Sequence, residues 1–147
     1  MNQKNPSSGR FAFVLLIAVC LFLVGCGRKY ANLEEYIQSS PMPDDFTNMS
    51  VSNEVIPVSM DLSVSENTVI MKMQADRIIF GKDESVNSKI RAGIDQYFAT
   101  EDVTASLNSG IDQLAETSGI DASLIAVRYE MYNLGESTPA YVFTYTK

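Results

Sequence analysis

The chain has 147 residues, with 18 acidic and 11 basic side chains, a formal net charge of −7, and neither histidine nor tryptophan. This length fits one domain with an appendage, and the acidic balance argues against a nucleic-acid partner, because phosphate contacts require clustered lysine and arginine. The lack of histidine excludes Ser-His-Asp catalysis, Cys-His catalysis and metal sites built on histidine.

The first 25 residues have the pattern of a secretory signal. Lys4 and Arg10 are the charged side chains of the first ten residues, and residues 11–24 (FAFVLLIAVCLFLV) are uncharged and almost wholly apolar. A helix of that length reaches about 21 Å at ~1.5 Å per residue, which is short of the ~30 Å hydrocarbon core of a bilayer. The segment therefore predicts a signal peptide.

The signal ends in Leu23-Val24-Gly25-Cys26, which resembles the lipobox of bacterial lipoproteins. In that family the cysteine thiol receives a diacylglycerol, and a dedicated peptidase then cleaves the chain before it, next to a small residue. The resemblance implies that Cys26 is lipidated and that Leu23, Val24 and Gly25 are recognised by the signal peptidase. The alternative is an uncleaved signal anchor in which Cys26 has no role.

Lipidation at Cys26 has consequences for the rest of the chain. Cys20 would leave with the signal, so the mature chain would hold no disulfide. Removal of residues 1–25 takes away Lys4 and Arg10 but no acid, so 9 basic side chains remain against 18 acidic ones, a net charge of −9. Anionic lipid repels such a surface, so acyl chains would hold the protein at the extracytoplasmic face of the cell membrane.

Residues 26–50 predict a lipidated tether with a short helix and a linker. Apolar residues recur at helical spacing in NLEEYIQSS, Asn32 is a suitable N-cap and Pro41 ends the pattern, so we expect a helix over Leu33–Ser39. The following segment, residues 41–53 (PMPDDFTNMSVSN), has the composition of a loop.

From residue 56 the apolar positions recur with a period of two, which is typical of a strand with one dry face. A two-residue turn at Glu66-Asn67 would join two such strands into a hairpin in which every apolar residue faces an apolar partner. The resulting pairs are Val64 with Val69, Leu62 with Met71, and Met60 with Met73.

Residues 81–120 predict helix. Asp83 or Ser85 can cap its start, and Gly119 suits a left-handed stop. Two apolar stripes along this segment are rotated relative to each other, which leaves open either one long curving helix or a kink near Thr100. Within the helix, Gly93 and Gly110 weaken the helical propensity and are expected to permit close contact with strands.

The last segment returns to a period of two and predicts a second hairpin. A three-residue loop, Asn133-Leu134-Gly135, would put glycine in the left-handed position that such loops require. It would also place three aromatic residues of the last strand on the core face with residues of the strand before. These residues are Tyr141, Phe143 and Tyr145 in the last strand and Val127 and Tyr129 in the preceding one.

Together the elements predict an α+β fold over residues 51–147. A short N-terminal helix precedes two antiparallel β-hairpins, a four-stranded sheet, which a long amphipathic helix separates and covers on one face. The opposite face is expected to be wet. Its predicted residues are Ser59, Asp61, Lys72, Gln74, Arg128 and Glu130.

From ANLEEYIQS onward the mature chain resembles a family of small, uncharacterised lipoproteins of Gram-positive bacteria, catalogued as a domain of unknown function. The lipobox, the LEEYI opening shortly after it, the central hairpin, the helix ending in ETSGID and the final strand pair carry the resemblance. It implies a Gram-positive cell envelope and the fold. The family has no established activity, so no site residues follow from it.

No pattern in the sequence predicts a catalytic residue, a cofactor or a metal site. Carboxylates that are adjacent in sequence point to different faces of a helix, no glycine-rich phosphate loop is present, and no serine lies in a nucleophile elbow. Met60, Met71 and Met73 are ligand types for copper(I), but they lie on the predicted core face, where a thioether is ordinary filling.

Four tyrosines leave two interpretations open. They line a ligand groove between the helix and the sheet, or they pack in the core with their hydroxyls at its rim. These residues are Tyr97, Tyr129, Tyr141 and Tyr145.

The sequence therefore predicts a non-catalytic binding or interaction module, attached to the membrane through diacylglycerol on Cys26, with no nucleic-acid partner. An unidentified envelope protein or ligand would engage its sheet face or an edge strand. Two alternatives stay open. One is an enzyme of unrecognised type, and the other is a precursor whose residues 18–25 (AVCLFLVG) are trimmed to a peptide pheromone.

Overall fold

A computed structural model of the chain describes residues 30–39, 49–51 and 58–147. The predicted lipidation site, Cys26, and the predicted peptidase recognition residues, Leu23, Val24 and Gly25, lie outside these residues. The same holds for the predicted signal peptide and for most of the predicted linker.

Helices and strands alternate along the described chain. The helices are α1 (Leu33–Ser39), α2 (Glu84–Phe98) and α3 (Glu101–Ser118), and a short 3-10 helix spans Ala122–Leu124. The strands are β1 (Met49–Val51), β2 (Val58–Ser65), β3 (Thr68–Ala75), β4 (Ala126–Tyr132) and β5 (Tyr141–Thr146).

The strands form one mixed sheet in the order β1-β2-β3-β4-β5. Neighbours are antiparallel except β3 and β4, which run parallel because α2 and α3 form the crossover between them. The predicted α+β class is confirmed. The sheet has one strand more than the predicted four, since β1 adds a three-residue edge.

Strands β2 and β3 pair Val64 with Val69 and Leu62 with Met71, as the alternating pattern predicts. The turn between them lies at Glu66 and Asn67, and Glu66 has a φ of 51°, in the left-handed region that a two-residue hairpin turn requires.

Strand β1 lies inside the segment that the sequence predicts as a loop. Met49 is opposite Met60 and Val51 is opposite Val58, so the period of two in β2 continues into its neighbour. The loop prediction for residues 41–53 is therefore wrong over these three residues. The signal is weak because a strand of three residues contains only two apolar positions.

The predicted long helix is two helices that meet at Ala99 and Thr100. Asp83 caps α2 by accepting hydrogen bonds from two backbone N–H groups, and Gly119 ends α3 with a φ of 73°. Thr100 is extended, with a ψ of 145°, and starts α3. The break lets Phe98 stack on Phe143 of β5 at a ring-centroid distance of 4.1 Å.

The second hairpin has the predicted faces but a longer loop. Tyr145 is opposite Val127 and Phe143 is opposite Tyr129, so the aromatic residues share one face. The connection spans residues 133–140 instead of three residues. Its length follows from Asn133, whose buried side chain binds the backbone of residues 79–80 and so directs the chain away from β4.

Helix α1 packs on the same core as the sheet. Leu33 and Tyr36 are fully buried, and the backbone N–H of Glu34 donates to the carbonyl oxygen of Glu66 at 2.8 Å. The N–H of Leu33 donates to the side chain of Asn67 at 2.9 Å. The predicted helix is thus part of the folded body, joined to the β2–β3 turn.

Candidate functional site

A groove of about 430 Å³ lies between α2 and the sheet. Its floor comes from the adjacent strands β3 and β4, and its wall is one face of α2. The lining residues are Met73, Tyr129 and Met131 on the sheet and Lys89, Ile90, Gly93, Ile94, Tyr97 and Phe98 on the helix.

The groove exists because α2 packs loosely over most of its length. Asn87 and Phe98 are its buried residues, while Ile90 and Ile94 are only partly buried, although their spacing turns them towards one face. The helix is therefore held near its two ends, and its middle leaves apolar side chains of the sheet uncovered.

Gly93 lies in the middle of α2, where glycine costs about 1 kcal/mol relative to alanine. A β-carbon built at this position meets no atom within 4 Å, so the missing side chain opens space instead of allowing a close contact. The prediction that Gly93 permits close approach to a strand is therefore wrong. The glycine widens the groove.

Two phenols supply the polar groups of the groove. Tyr129 is 4% exposed, and burial raises the pKa of its hydroxyl, with a further contribution from the nearby Tyr97. Burial also raises the pKa of Tyr97. Within the part of the chain that the structure describes, neither phenol oxygen makes a hydrogen bond, so both are available to a bound molecule.

Lys89 supplies the positive charge of the groove lining. Its neighbour Arg91 binds Glu84 and lies over the ring of Phe80 at 5.4 Å, outside the groove. Lys89 itself is exposed, and it forms no ion pair with any described residue. A cation therefore stands at the edge of a surface that is otherwise apolar or phenolic.

Of the four tyrosines that the sequence singles out, the structure brings two together in the groove. Tyr97 and Tyr129 line it, whereas the hydroxyl of Tyr141 donates to Asp95 and that of Tyr145 donates to Asn108 at 2.9 Å. The last two follow the second interpretation, in which the ring packs and the hydroxyl binds at the rim.

The three methionines on the predicted core face have different surroundings. Met71 is 2% exposed and belongs to the core, Met73 lines the groove, and Met60 is partly buried.

Sequence patterns did not single out Lys89 or Met131 as groove residues. Their positions depend on how far α2 stands from the sheet, for which periodicity gives no signal.

The opposite face of the sheet is polar, as predicted, but it is only partly wet. Glu130 is 8% exposed, and it accepts hydrogen bonds from the Arg128 guanidinium at 2.7 Å and from the Tyr132 hydroxyl. The bond from Tyr132, followed by the interactions with Arg128 and Lys72, holds the pKa of this carboxyl below its usual range. A shallow pocket of about 330 Å³ lies beside it.

Other kinds of site are not found in the described ranges 30–39, 49–51 and 58–147. They contain no group of three or more cysteine, aspartate or glutamate side chains placed to hold a metal ion. None of their helices is long and apolar enough to cross a membrane.

The chain was compared with known protein families, curated proteins and solved structures, and no match was found.

Proposed function

We propose that the mature protein is a lipid-anchored, non-catalytic binding module at the extracytoplasmic face of the membrane, and that it holds an apolar small molecule in the groove under α2. Anchoring rests on the lipobox at Cys26. Binding rests on one observation, the open apolar space between Gly93 and the sheet.

The groove has the properties of a small-molecule site. Its volume of about 430 Å³ lies in the range of ~300–1,000 Å³ that such sites occupy, and its lining combines apolar side chains with a few polar groups. Helix α2 also keeps a glycine where alanine would stabilise it. Open space beside the sheet at the expense of helix stability is consistent with a binding role.

The phenols suit a binding role. A phenol is protonated at neutral pH, and burial raises the pKa values of Tyr97 and Tyr129 further, so both hydroxyls can donate hydrogen bonds to a ligand. The two hydroxyls therefore serve to orient a bound molecule.

We also propose how the helices and the two hairpins are arranged around the groove. Helices α2 and α3 cover the face of the two hairpins that carries Tyr129 and Phe143, and the opposite face, with Glu130, is polar.

Filling the groove from Gly93 tests the proposal. Washed membranes that contain the anchored protein are illuminated with a diazirine-bearing alkane, and the labelled peptides are mapped by mass spectrometry. Gly93→Leu places a side chain in the open space and favours helix, so it blocks the site without unfolding α2. Ala92→Leu is the matched control, because Ala92 is exposed on the same helix.

The wild type and Ala92→Leu are expected to carry label on α2 and β4, and Gly93→Leu is expected to lose it. Equal labelling of these peptides in all three proteins would refute the proposal, since membrane partition alone would then explain the label.

A further inference from the structure

We infer that the molecule held in the groove is a fatty acid whose carboxylate pairs with Lys89. This inference rests on the proposed function, because it assigns the chemistry of the ligand in the same groove. Two features carry it: an unpaired cation in the groove lining and the shape of the apolar space.

Lys89 differs from the ion-paired cations of the described residues. Four basic side chains there bind a carboxylate directly, whereas Lys72, Lys82 and Lys89 form no ion pair with a described residue. Of these three lysines, Lys89 lies in the lining of the apolar groove. The four pairs are Arg77 with Asp76, Arg91 with Glu84, Arg128 with Glu130, and Lys147 with Asp112. A carboxylate at Lys89 would complete the same kind of pair with a ligand.

The net charge of the protein acts against an anionic ligand. With 9 basic and 18 acidic side chains in residues 26–147, the protein repels anions over most of its surface. Binding of a carboxylate therefore depends on the local charge of Lys89 in the lining of the groove. The lysine stem can lie along that lining with its ammonium group in water, which puts a bound carboxylate at the water boundary and its chain inside.

The shape of the groove fits one unbranched chain. Along α2 its lining runs from Lys89 to Phe98, nine residues or about 14 Å at ~1.5 Å per residue. Phe98 is 8% exposed and stacks on Phe143, so the end away from Lys89 is closed by packed rings. A single alkyl chain lies between a helix and a sheet more easily than a two-chain lipid does.

The test compares a diazirine-bearing fatty acid with its methyl ester on the same washed membranes, which lack the nucleotides needed to activate the acid. Lys89→Gln removes the proposed charge. Lys82→Gln is the control. Lys82 is exposed, and its substitution removes the same charge outside the groove lining. In the wild type we expect the acid to label α2 and β4 roughly fivefold more than the ester, the effect of one partly exposed ion pair.

Lys82→Gln is expected to keep this preference, and Lys89→Gln is expected to lose it while the ester still labels the groove. Equal labelling by acid and ester in the wild type would overturn the fatty-acid inference and leave the proposed function standing. A preference that survives in Lys89→Gln would overturn the role of Lys89. Absence of label from the wild-type groove, expected if a segment of this chain or a second copy fills it, would overturn both.

Discussion

At the scale of single residues, two glycines in neighbouring helices have opposite requirements. Gly93 lies inside α2 with open space around its missing side chain, whereas Gly119 ends α3 at a φ of 73°. The first position tolerates any L-residue that fits the space. The second is in the left-handed region, where a β-carbon is unfavourable.

The same substitution should therefore change stability in opposite directions. Gly93→Ala is expected to raise the free energy of unfolding by about 0.5–1 kcal/mol through helix propensity. Gly119→Ala is expected to lower it by about 1 kcal/mol through backbone strain. Urea unfolding of both purified variants measures the two values. A loss of stability in Gly93→Ala would contradict the open space assigned to this position.

Glu130 predicts how stability depends on pH. Its pKa in the folded protein is depressed, chiefly by the Tyr132 hydroxyl and then by Arg128, so the charged carboxylate stabilises the fold above the ordinary pKa of about 4.3. That contribution is lost as the pH falls through the lower folded-state pKa. Glu130→Gln should thus have a shallower loss of stability than the wild type between about pH 5 and pH 3.

Thermal unfolding across this pH range measures the difference. Glu116→Gln, at an exposed position on α3, serves as the control and should follow the wild-type slope. If Glu130→Gln has the same slope as the wild type, its carboxylate does not contribute to acid sensitivity.

At the scale of elements, the crossover between the hairpins depends on one side chain. Asn133 is 2% exposed; its Oδ1 accepts from the N–H groups of Ile79 and Phe80, and its Nδ2 donates to the Phe80 carbonyl and to Glu136. These bonds fix the segment that leads from β3 to α2. They therefore set where α2, and with it the groove, begins.

Asn133→Ala should lower the free energy of unfolding by about 2–4 kcal/mol, because it leaves buried backbone groups without partners. The matched control is Asn108→Ala, which removes one partly buried bond to the Tyr145 hydroxyl and should cost about 1 kcal/mol. Chemical denaturation of both variants measures the costs. Similar small values for the two would show that Asn133 does not hold the crossover in place.

Local patterns in the sequence predict the elements better than their connections. Alternating apolar residues give the pairing of Leu62 with Met71, and Asn32 and Pro41 bound a helix that the structure places at Leu33–Ser39. The length of the second loop cannot be predicted in this way, because it depends on hydrogen bonds from Asn133 to residues more than fifty positions earlier in the chain. No local pattern contains that contact.

The candidate site is predictable only in part for the same reason. The positions of Tyr97 and Tyr129, on an amphipathic helix and a half-buried strand, make both residues candidates for a groove. The space itself depends on the distance between α2 and the sheet. That distance follows from the break of the helix at Ala99 and the burial of Phe98. Gly93 stands out in the sequence as an unfavourable residue inside a helix. The sequence alone does not tell whether such a glycine allows a close contact or leaves open space.

At the scale of the whole molecule, the proposed anchor and the proposed groove belong to different parts of the chain. The lipobox would fix the protein to the membrane at Cys26, and three residues separate that cysteine from Tyr30, where the described fold begins. Tyr30 packs on Tyr36 of α1 at 5.0 Å, so the folded body would stay within roughly 14 Å of its anchor. A folded body tethered this closely would have the fatty acids of the membrane within its reach.

Native mass spectrometry of the protein extracted from its own membrane tests both parts at once. We predict a polypeptide that lacks residues 1–25, carries diacylglycerol on Cys26, and retains a non-covalent adduct with the mass of a fatty acid. The adduct should be absent from Gly93→Leu and present in Ala92→Leu. A chain with an intact signal, or an adduct that is equally abundant in both variants, would contradict the account.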